Sequence, residues 1–330
     1  MKLHFLASFF SLATSLVAAQ TYPNPIAGSE NISVRDPAIW YNSATGKYYV
    51  FATGGLITTY TSTSLNGPWT NAGKALSACA NVNSPGNCDL WAPDINYFDG
   101  QYVLYYSAST LSSQISVIGV ATSPSMEPGT WTDHGEVISS TTGDVYNAID
   151  ANLIITNGGL QLSFGSWQQG IYQIGLWPDV ETQASALPGT HLAGANHRPA
   201  EGGFDYKPPS SDLWFFFFSD GITPLQGDTT RPAAGDEYKV RVGRGSSSQG
   251  PFYGGAGNEL TEDLNPPTGN IILASHDNIY APGGQSIFHD PVSGRDVMVY
   301  HYVRESEVGG ASYLGINYLD FSSGWPVVVN

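Results

Sequence analysis

The chain of 330 residues carries 28 acidic side chains against 12 basic ones, a formal net charge of −16 at pH 7. So much negative charge argues against nucleic acid and against an anionic membrane as binding partners, because both would be repelled. Charged residues are only 12% of the chain, which is rich in glycine and tyrosine. This composition favours a neutral ligand such as a sugar; the alternative is that the acidity serves only solubility.

The N-terminus has the pattern of a secretory signal peptide. Lys2 is followed by an apolar run over residues 5–16 and by small residues that end at Ala19, the order typical of a cleaved leader. A transmembrane anchor would need about 20 apolar residues, and this run is shorter and interrupted by serines. We therefore expect cleavage after Ala19 and secretion of residues 20–330 into the extracellular space. We expect the secreted product to be a monomer.

From residue 22 onwards, one layout occurs five times. Each unit begins with a short apolar and aromatic run, continues through a turn rich in Gly, Asn, Pro or Ser, and returns in a second apolar run. Self-similar units of about 50 residues made of short strands are typical of the blades of a β-propeller. Few segments show the 3.6-residue period of an amphipathic helix. The sequence therefore predicts an all-β fold, a five-bladed β-propeller that forms a single domain over residues 20–330.

Two further features of the chain fit a secreted protein. Cys79 and Cys88 are the only cysteines, and in an oxidising compartment an isolated pair is more often a disulfide than two free thiols. We therefore predict a disulfide between them. The sequon at residues 31–33 (Asn-Ile-Ser) permits glycosylation of Asn31 if the host has the machinery.

The five units share a position at the head of their first strand. When the units are aligned on their first aliphatic or aromatic strand residue, this position is occupied in turn by Asp36, Ala92, Asp150, Glu201 and Gly284. Because blades close a ring around a channel, equivalent positions face the same axis. Three carboxylates are thereby expected to lie close together.

A cluster of three carboxylates can hydrolyse a glycosidic bond. One carboxyl group donates a proton to the leaving oxygen, a second activates water on the opposite ring face, and a third can keep the donor protonated. A single Asp at a strand head is more often a turn cap. A calcium site is a further alternative, although calcium ligands usually come from one contiguous acidic loop, which this chain lacks.

Four short motifs then resemble one known family. They are residues 34–39 (Val-Arg-Asp-Pro-Ala-Ile), 90–95 (Leu-Trp-Ala-Pro-Asp-Ile), 146–150 (Tyr-Asn-Ala-Ile-Asp) and 198–202 (Arg-Pro-Ala-Glu-Gly). Together, in this order and at blade spacing, they resemble the arabinanases of glycoside hydrolase family 43. The resemblance implies a five-bladed propeller that cleaves α-1,5-linked L-arabinan of pectin side chains in endo fashion, by single displacement with inversion. No cofactor is expected.

The resemblance also assigns roles to residues. Asp36 matches the family's general base, Glu201 its general acid, and Asp150 the residue that raises the pKa of the acid and orients it. The predicted substrate-binding residues are Arg35, Trp91, Asn147, Ser166 and Trp167. A sugar face stacks favourably on an indole ring such as that of Trp91; the alternative is a tryptophan of the core. Arg231, in a loop over residues 223–236, could contact a ligand, although a plain surface loop is the simpler interpretation.

The fifth blade departs from the family pattern. Many members carry a histidine at the head position, in the motif Pro-Gly-His-Asn, where it holds a central cation. Residues 282–285 here are Pro-Gly-Gly-Gln, so we predict no metal ligand set, with the amide of Gln285 or water in the channel. We expect His301 to be a packed or substrate-side histidine and not a replacement ligand.

Three other functions compete with this hypothesis. The first is an exo-acting arabinofuranosidase or a xylan-degrading xylosidase of the same family, although the chain has no room for the C-terminal sandwich domain of larger xylosidases. The second is a β-fructosidase, which would carry a Trp-Met-Asn-Asp-Pro-Asn-Gly motif that is missing here. The third is a non-catalytic sugar-binding propeller, which would not need three acids at the axis.

Overall fold

The computed structural model describes residues 21–330, so the predicted signal peptide, residues 1–19, lies outside the described residues. These residues form five antiparallel sheets, and each sheet consists of four strands that follow one another in the chain. The prediction of an all-β, five-bladed propeller is therefore confirmed. No helix within residues 21–330 is long and apolar enough to cross a bilayer.

The strands of each blade run outwards from the central channel in chain order. Blade one consists of β1 (Ala38–Asn42), β2 (Lys47–Ala52), β3 (Thr58–Ser62) and β4 (Thr70–Lys74). Blade two consists of β5 (Leu90–Phe98), β6 (Gln101–Ala108), β7 (Ser116–Ser123) and β8 (Thr132–Ser140). Blade three consists of β9 (Asn152–Thr156), β10 (Gly159–Phe164), β11 (Ile171–Leu176) and β12 (Thr190–Ala193). Blade four consists of β13 (Ala200–Tyr206), β14 (Trp214–Asp220), β15 (Lys239–Gly245) and β16 (Asn270–Leu273). Blade five consists of β17 (Ile279–Asp290), β18 (Arg295–Arg304), β19 (Ser312–Asp320) and β20 (Val327–Val329).

The second strands of the blades are apolar on both faces because each blade is covered by two neighbours. In β14 the side chains at 215–218 are four consecutive phenylalanines, and all are buried. Phe215 and Phe217 pack in one cluster with residues of blade five. Phe216 and Phe218 pack in another cluster with residues of blade three. Since successive side chains of a strand point to opposite faces, a continuous apolar run is what a strand buried on both faces requires.

The ring is closed where the N-terminal segment meets blade five. The amide of Val34 donates to the carbonyl of Ser312 at 3.2 Å, and the amide of Leu314 donates to that of Ile32 at 3.3 Å. The segment before β1 therefore pairs with the start of β19, and the first and last blades are joined by backbone hydrogen bonds.

The predicted disulfide is present: Cys79 and Cys88 are bonded in the segment that leads into β5. Asn31 is exposed at the end of a 3-10 turn, Ser29–Asn31, so its side chain is accessible for glycosylation. Glycosylation itself stays a prediction.

Candidate active site

The heads of the five blades share an unusual backbone conformation. Residues with left-handed φ at this place are Asp36 (45°), Ala92 (42°), Asp150 (58°), Gly202 (60°) and Gly284 (59°). Residues other than glycine seldom adopt such angles. Three of these residues donate their amide to a hydroxyl at the end of the preceding blade's second strand: Ala92 to Thr53 at 2.8 Å, Asp150 to Ser107 at 3.0 Å, and Gly284 to Ser219 at 2.9 Å.

The alignment of Glu201 with Asp36 and Asp150 is wrong by one residue. Glu201 pairs with Ser219 in the ladder of blade four, as Trp91 pairs with Ser107 in blade two, so Glu201 lies one residue before the head position. Gly202 occupies that position. Blade four carries Asp205, paired with Phe216, at the strand position where the other blades carry aliphatic residues. Because the units were aligned on an apolar residue, the neighbouring Phe204 was matched to that position instead. The carboxylate of Glu201 nevertheless lines the same cavity as the other two.

Asp36 is held at both its side chain and its backbone. The hydroxyl of Thr53 donates to its Oδ2 at 2.7 Å. Its own amide donates to Nδ1 of His301 at 3.1 Å, and this nitrogen also lies 3.4 Å from Oδ1. A carboxylate with these contacts can face a water molecule in a fixed orientation, which is what a general base requires.

Glu201 is held by two hydroxyl groups. Ser166 donates to Oε2 at 2.7 Å and Tyr238 donates to Oε1 at 2.9 Å. Burial raises the pKa of the Glu201 carboxyl, the two hydroxyls lower it, and the negative charge of Asp36 raises it again. The net direction is upwards, which suits a group that must carry a proton to a leaving oxygen.

Asp150 is coupled to Glu201 through the backbone. Its Oδ2 accepts a hydrogen bond from the amide of Gly202 at 3.1 Å. Burial raises the pKa of the Asp150 carboxyl well above its usual range, and the charges of Glu201 and Asp36 raise it further. Because like charges so close cannot all be ionised at little cost, the cluster retains a proton.

The three carboxylates line one cavity of about 380 Å³ at the head end of the channel. Arg35 and Trp91, both predicted to bind substrate, lie in its wall, together with Leu111 and Tyr238. A second cavity of about 300 Å³ shares Arg35, Thr53 and Leu225 with it. The two cavities therefore adjoin at these residues.

One wall of the cavity is the loop over residues 221–238, which joins β14 to β15. The guanidinium of Arg35 donates to the carbonyl of Pro224 at 2.8 Å and to the hydroxyl of Thr223 at 2.7 Å. Arg231 does not line the cavity; it pairs with Glu305 at 2.6 Å and lies over the ring of Tyr280. Arg231 therefore ties this loop to blade five, and the surface-loop interpretation describes its place.

The other predicted substrate contacts lie away from the cavity wall. Asn147 is buried, and its amide nitrogen is 3.4 Å from the carbonyl of Ser113. Ser166 is buried and donates to Glu201, so its hydroxyl holds the Glu201 carboxyl in place. Trp167 is 42% exposed but does not line the cavity. Their contact with substrate stays a prediction.

The axis of the propeller lacks the family's histidine ligand set. A β-carbon at Gly284 would lie 2.6 Å from Oδ1 of Asp36 and 2.7 Å from Nδ1 of His301, so a histidine at 284 does not fit beside them. His301 is fully buried and its Nδ1 accepts the Asp36 amide, so it is a packed histidine, as predicted. Within residues 21–330 no group of three His, Cys, Asp or Glu side chains is arranged to hold a metal ion. The residues present do not fit a central cation.

Gln285 fills part of the channel with its amide. Its nitrogen donates to the carbonyl of Gly202 at 2.6 Å and its oxygen accepts from Ser219 at 2.8 Å. This side chain therefore joins blades four and five and lines the cavity.

Sequence reasoning missed two residues that hold the carboxylates, Thr53 and Tyr238. Thr53 could have been found, because Ser107 and Ser219 occupy the matching place in other blades and all three accept an amide from the next blade. Tyr238 could not be recognised by comparing the five units, because it follows a long loop that only blade four contains.

Comparison with known proteins places this geometry in a family. The family model of "Glycosyl hydrolases family 43" matches residues 22–326. "Arabinan endo-1,5-alpha-L-arabinosidase A" of Aspergillus aculeatus is 42% identical over 324 residues, which cover 96% of this chain and 98% of that protein. The protein of the same name from Aspergillus niger is 39% identical over 311 residues, covering 93% and 94% of the two chains.

Solved structures share the fold. An exo-1,5-alpha-L-arabinanase from a bovine ruminal metagenomic library matches with a TM-score of 0.78 at 27% identity, covering 92% of this chain and 99% of that one. The family 43 endo-arabinanase of Bacillus licheniformis matches with a TM-score of 0.77 at 28% identity, covering 91% and 99%. The resemblance seen in the four motifs is confirmed: the chain belongs to glycosyl hydrolase family 43, a family of glycosidases.

Proposed function

We propose that this protein is an arabinan endo-1,5-α-L-arabinosidase that hydrolyses its substrate by a single displacement with inversion. The observation that carries the proposal is the placement of Asp36, Asp150 and Glu201 in one cavity wall. The names of the 39–42% identical fungal relatives supply the substrate class. The acidic surface is compatible with a neutral polysaccharide, because such a polymer is not repelled by negative charge.

The proposed mechanism uses two of the carboxylates directly. Asp36 takes a proton from water as the water oxygen bonds to the anomeric carbon, and the glycosidic bond breaks on the opposite side. Glu201 donates its proton to the departing oxygen, so no charged alkoxide has to leave. Asp36 ends protonated and Glu201 ionised, and exchange with solvent restores both. Because bond formation and cleavage occur on opposite faces, the anomeric configuration inverts.

Asp150 and Arg35 have supporting roles in this proposal. The cluster retains a proton, and each ionised carboxylate favours the protonated form of its neighbour; in this proposal Glu201 holds that proton before reaction and Asp150 is its ionised partner. The contact of Asp150 with Gly202 fixes the backbone beside Glu201. Arg35 lines the cavity with its guanidinium fixed by the 221–238 loop.

Endo attack is proposed on two grounds. The curated fungal relatives are named endo-acting, and the adjoining cavity beyond Arg35 offers room for sugar units on that side. The exo-acting alternative is favoured by the ruminal relative, whose fold is equally similar. The fold alone therefore does not separate the two modes.

Product analysis on linear and debranched arabinan tests the proposal. Endo attack releases long oligomers early in the reaction, whereas exo attack releases one short product from the start. Appearance of arabinose alone would favour an exo-acting arabinofuranosidase. Binding of arabinan without release of reducing ends would instead favour a non-catalytic sugar-binding propeller.

We further propose that the enzyme is secreted as a monomer and acts on the arabinan side chains of pectin. The leader-like residues 1–19 and the disulfide Cys79–Cys88 support an extracellular location. N-terminal sequencing of protein recovered from culture medium tests this: Gln20 at the N-terminus is expected, and retention of Met1 on a cell-bound protein would contradict it.

A further inference from the structure

Two adjacent glycines in the fifth blade leave room for two aromatic rings at the axis. A β-carbon at Gly283 would lie 2.2 Å from two ring carbons of Tyr238. A β-carbon at Gly284 would lie 2.7 Å from Nδ1 of His301. Real β-carbons do not approach other heavy atoms so closely, because the interior is packed at van der Waals distances. Neither ring could keep its place if these residues carried side chains.

The two rings lie against each other and are buried. Their centroids are 5.9 Å apart with an angle of 29° between the ring planes, and Tyr238 and His301 are 2% and 0% exposed. Because both rings are buried against their neighbours, each is already held in place before a substrate binds.

Each ring holds one of the two reacting carboxylate residues. Tyr238 donates its hydroxyl to Oε1 of Glu201 at 2.9 Å. His301 accepts the backbone amide of Asp36 at 3.1 Å. The stack therefore connects the proposed acid to the proposed base by a path of four residues.

We propose that Tyr238 and His301 form a stacked pair of positioning residues that fixes Glu201 and Asp36 relative to one another, in the space that Gly283 and Gly284 leave open. The inference rests on the proposed roles of Glu201 and Asp36. It also gives a function to the glycine that stands at position 284 in place of the family's histidine, because Gly284 leaves space for the His301 ring.

The protonation states suit these contacts. Burial raises the pKa of the Tyr238 hydroxyl well above its usual range, and the charges of Glu201, Asp36 and Asp150 raise it further, so Tyr238 remains a donor. Burial lowers the pKa of His301 to about 4. The imidazole is therefore neutral near pH 6. Because Nδ1 accepts the Asp36 amide, the proton is on Nε2, which has no hydrogen-bond partner among the described residues.

Tyr238 has a definite effect on the proton affinity of the acid. A hydroxyl that donates to a carboxylate favours its ionised form, so it lowers the pKa of Glu201. The charged or titratable groups that face Glu201 besides Tyr238 are Asp36, Asp150 and Arg35. None of them changes in a Tyr238→Phe variant. Loss of the hydroxyl should therefore raise the pKa of Glu201.

The first test is the pH profile of kcat/KM on linear arabinan for Tyr238→Phe. The basic limb reports ionisation of the acid and should move upwards by roughly one pH unit, since hydrogen bonds to charged groups are strong. Tyr105→Phe is the matched control, because Tyr105 is also buried but donates to the carbonyl of Val180. We expect its basic limb to stay at the wild-type position. A basic limb that stays in place in Tyr238→Phe, or moves downwards, would overturn the role of Tyr238.

The second test displaces the ring and leaves its hydroxyl intact. Gly283→Ala should push the Tyr238 ring from its place and move the basic limb in the same direction as Tyr238→Phe. Gly175→Ala is its control, because a β-carbon at Gly175 would meet its nearest neighbour at an ordinary 3.7 Å. Equal profiles for the two alanine variants would contradict the proposal that the glycines make room for the stack.

A third measurement tests His301 at the base. His301→Ala should lower kcat about tenfold or more through misplacement of Asp36. The loss should persist on substrates with activated leaving groups, because the attacking water still requires Asp36 as base, and added imidazole should partly restore the rate. An unchanged kcat would remove His301 from the pair.

Titration of Glu201 by carbon NMR of glutamate-labelled protein keeps the two proposals apart. If wild-type protein does not hydrolyse arabinan, the proposed function fails. The pKa of Glu201 must still rise in Tyr238→Phe if the hydrogen bond acts as proposed. If wild-type protein is active and this pKa stays the same in the variant, only the positioning pair is contradicted.

Discussion

Asp150 accepts a hydrogen bond through Oδ2 from the amide of Gly202, at 3.1 Å. This contact joins the head of blade three to the residue that follows Glu201. We therefore propose that Asp150 acts on the proposed acid in two ways: as an ionised neighbour it favours the protonated form of Glu201, and its oxygen fixes the neighbouring backbone. A substitution that removes the charge and keeps an acceptor separates these effects.

Asp150→Asn is that substitution. With the negative neighbour gone, the pKa of Glu201 should fall, so the basic limb of the rate profile and the pH optimum should move to lower pH. Burial, which is the largest cause of the raised pKa of Glu201, remains, so the pKa should not fall to that of a free glutamate. The profile of kcat/KM on arabinan measures the shift. An unchanged basic limb together with a raised KM would make Asp150 a substrate ligand instead.

Glu201→Gln should nearly abolish hydrolysis of natural arabinan while binding survives. The amide cannot donate the proton, and general acid catalysis typically contributes about 10² to 10⁴-fold. Rate measurements are compared with retardation of the protein in arabinan-containing gels. Glu136→Gln, at an exposed position, is the control and should keep the wild-type rate. Wild-type turnover in Glu201→Gln would remove this residue from the role of acid.

Asp36→Asn should be equally damaging, and an activated leaving group should not help. Such a substrate makes the proton donor unnecessary but still requires a base to activate water. The measurement is kcat on an aryl arabinoside beside kcat on arabinan, with Asp212→Asn at an exposed site as control. Recovery of the Asp36→Asn variant on the aryl substrate would mean that the acid and base assignments have to be exchanged.

Trp91→Ala should raise KM for arabinan oligomers about tenfold, as expected if a stacked sugar face contributes roughly 1–1.5 kcal/mol. Trp91 lines the cavity, whereas Trp167 is exposed outside its wall, so we expect a smaller effect for Trp167→Ala. Trp177→Ala, 58% exposed, serves as control. A wild-type KM for Trp91→Ala would support the alternative of a core tryptophan.

The fold could be predicted because its information is repeated. The same strand and turn pattern occurs in five units, so each unit independently indicates a blade, and each unit forms one sheet in the structure. The same repetition placed Asp36 and Asp150 at blade heads, where their left-handed backbone confirms the equivalence. The disulfide followed from there being only two cysteines.

The rest depended on contacts that do not repeat. Glu201 was aligned one residue out of register because blade four has Asp205 in an aliphatic position, and an apolar pattern cannot align a polar residue. Tyr238 reaches Glu201 only through the tertiary fold, after a loop present in one blade. His301 lies within β18, 265 residues from the Asp36 amide that it accepts. Contacts of this kind have no local signal in the chain.

The most direct measurement is proton NMR of the wild-type enzyme on linear α-1,5-L-arabinan, recorded before the new reducing ends equilibrate. The proposed displacement by Asp36-activated water with Glu201 as acid predicts hydrolysis in which the β-anomer of the new reducing end appears first and the α-anomer grows later. Initial release of the α-anomer would contradict the inverting roles of these carboxylates, and the absence of any new reducing end would contradict the proposed function.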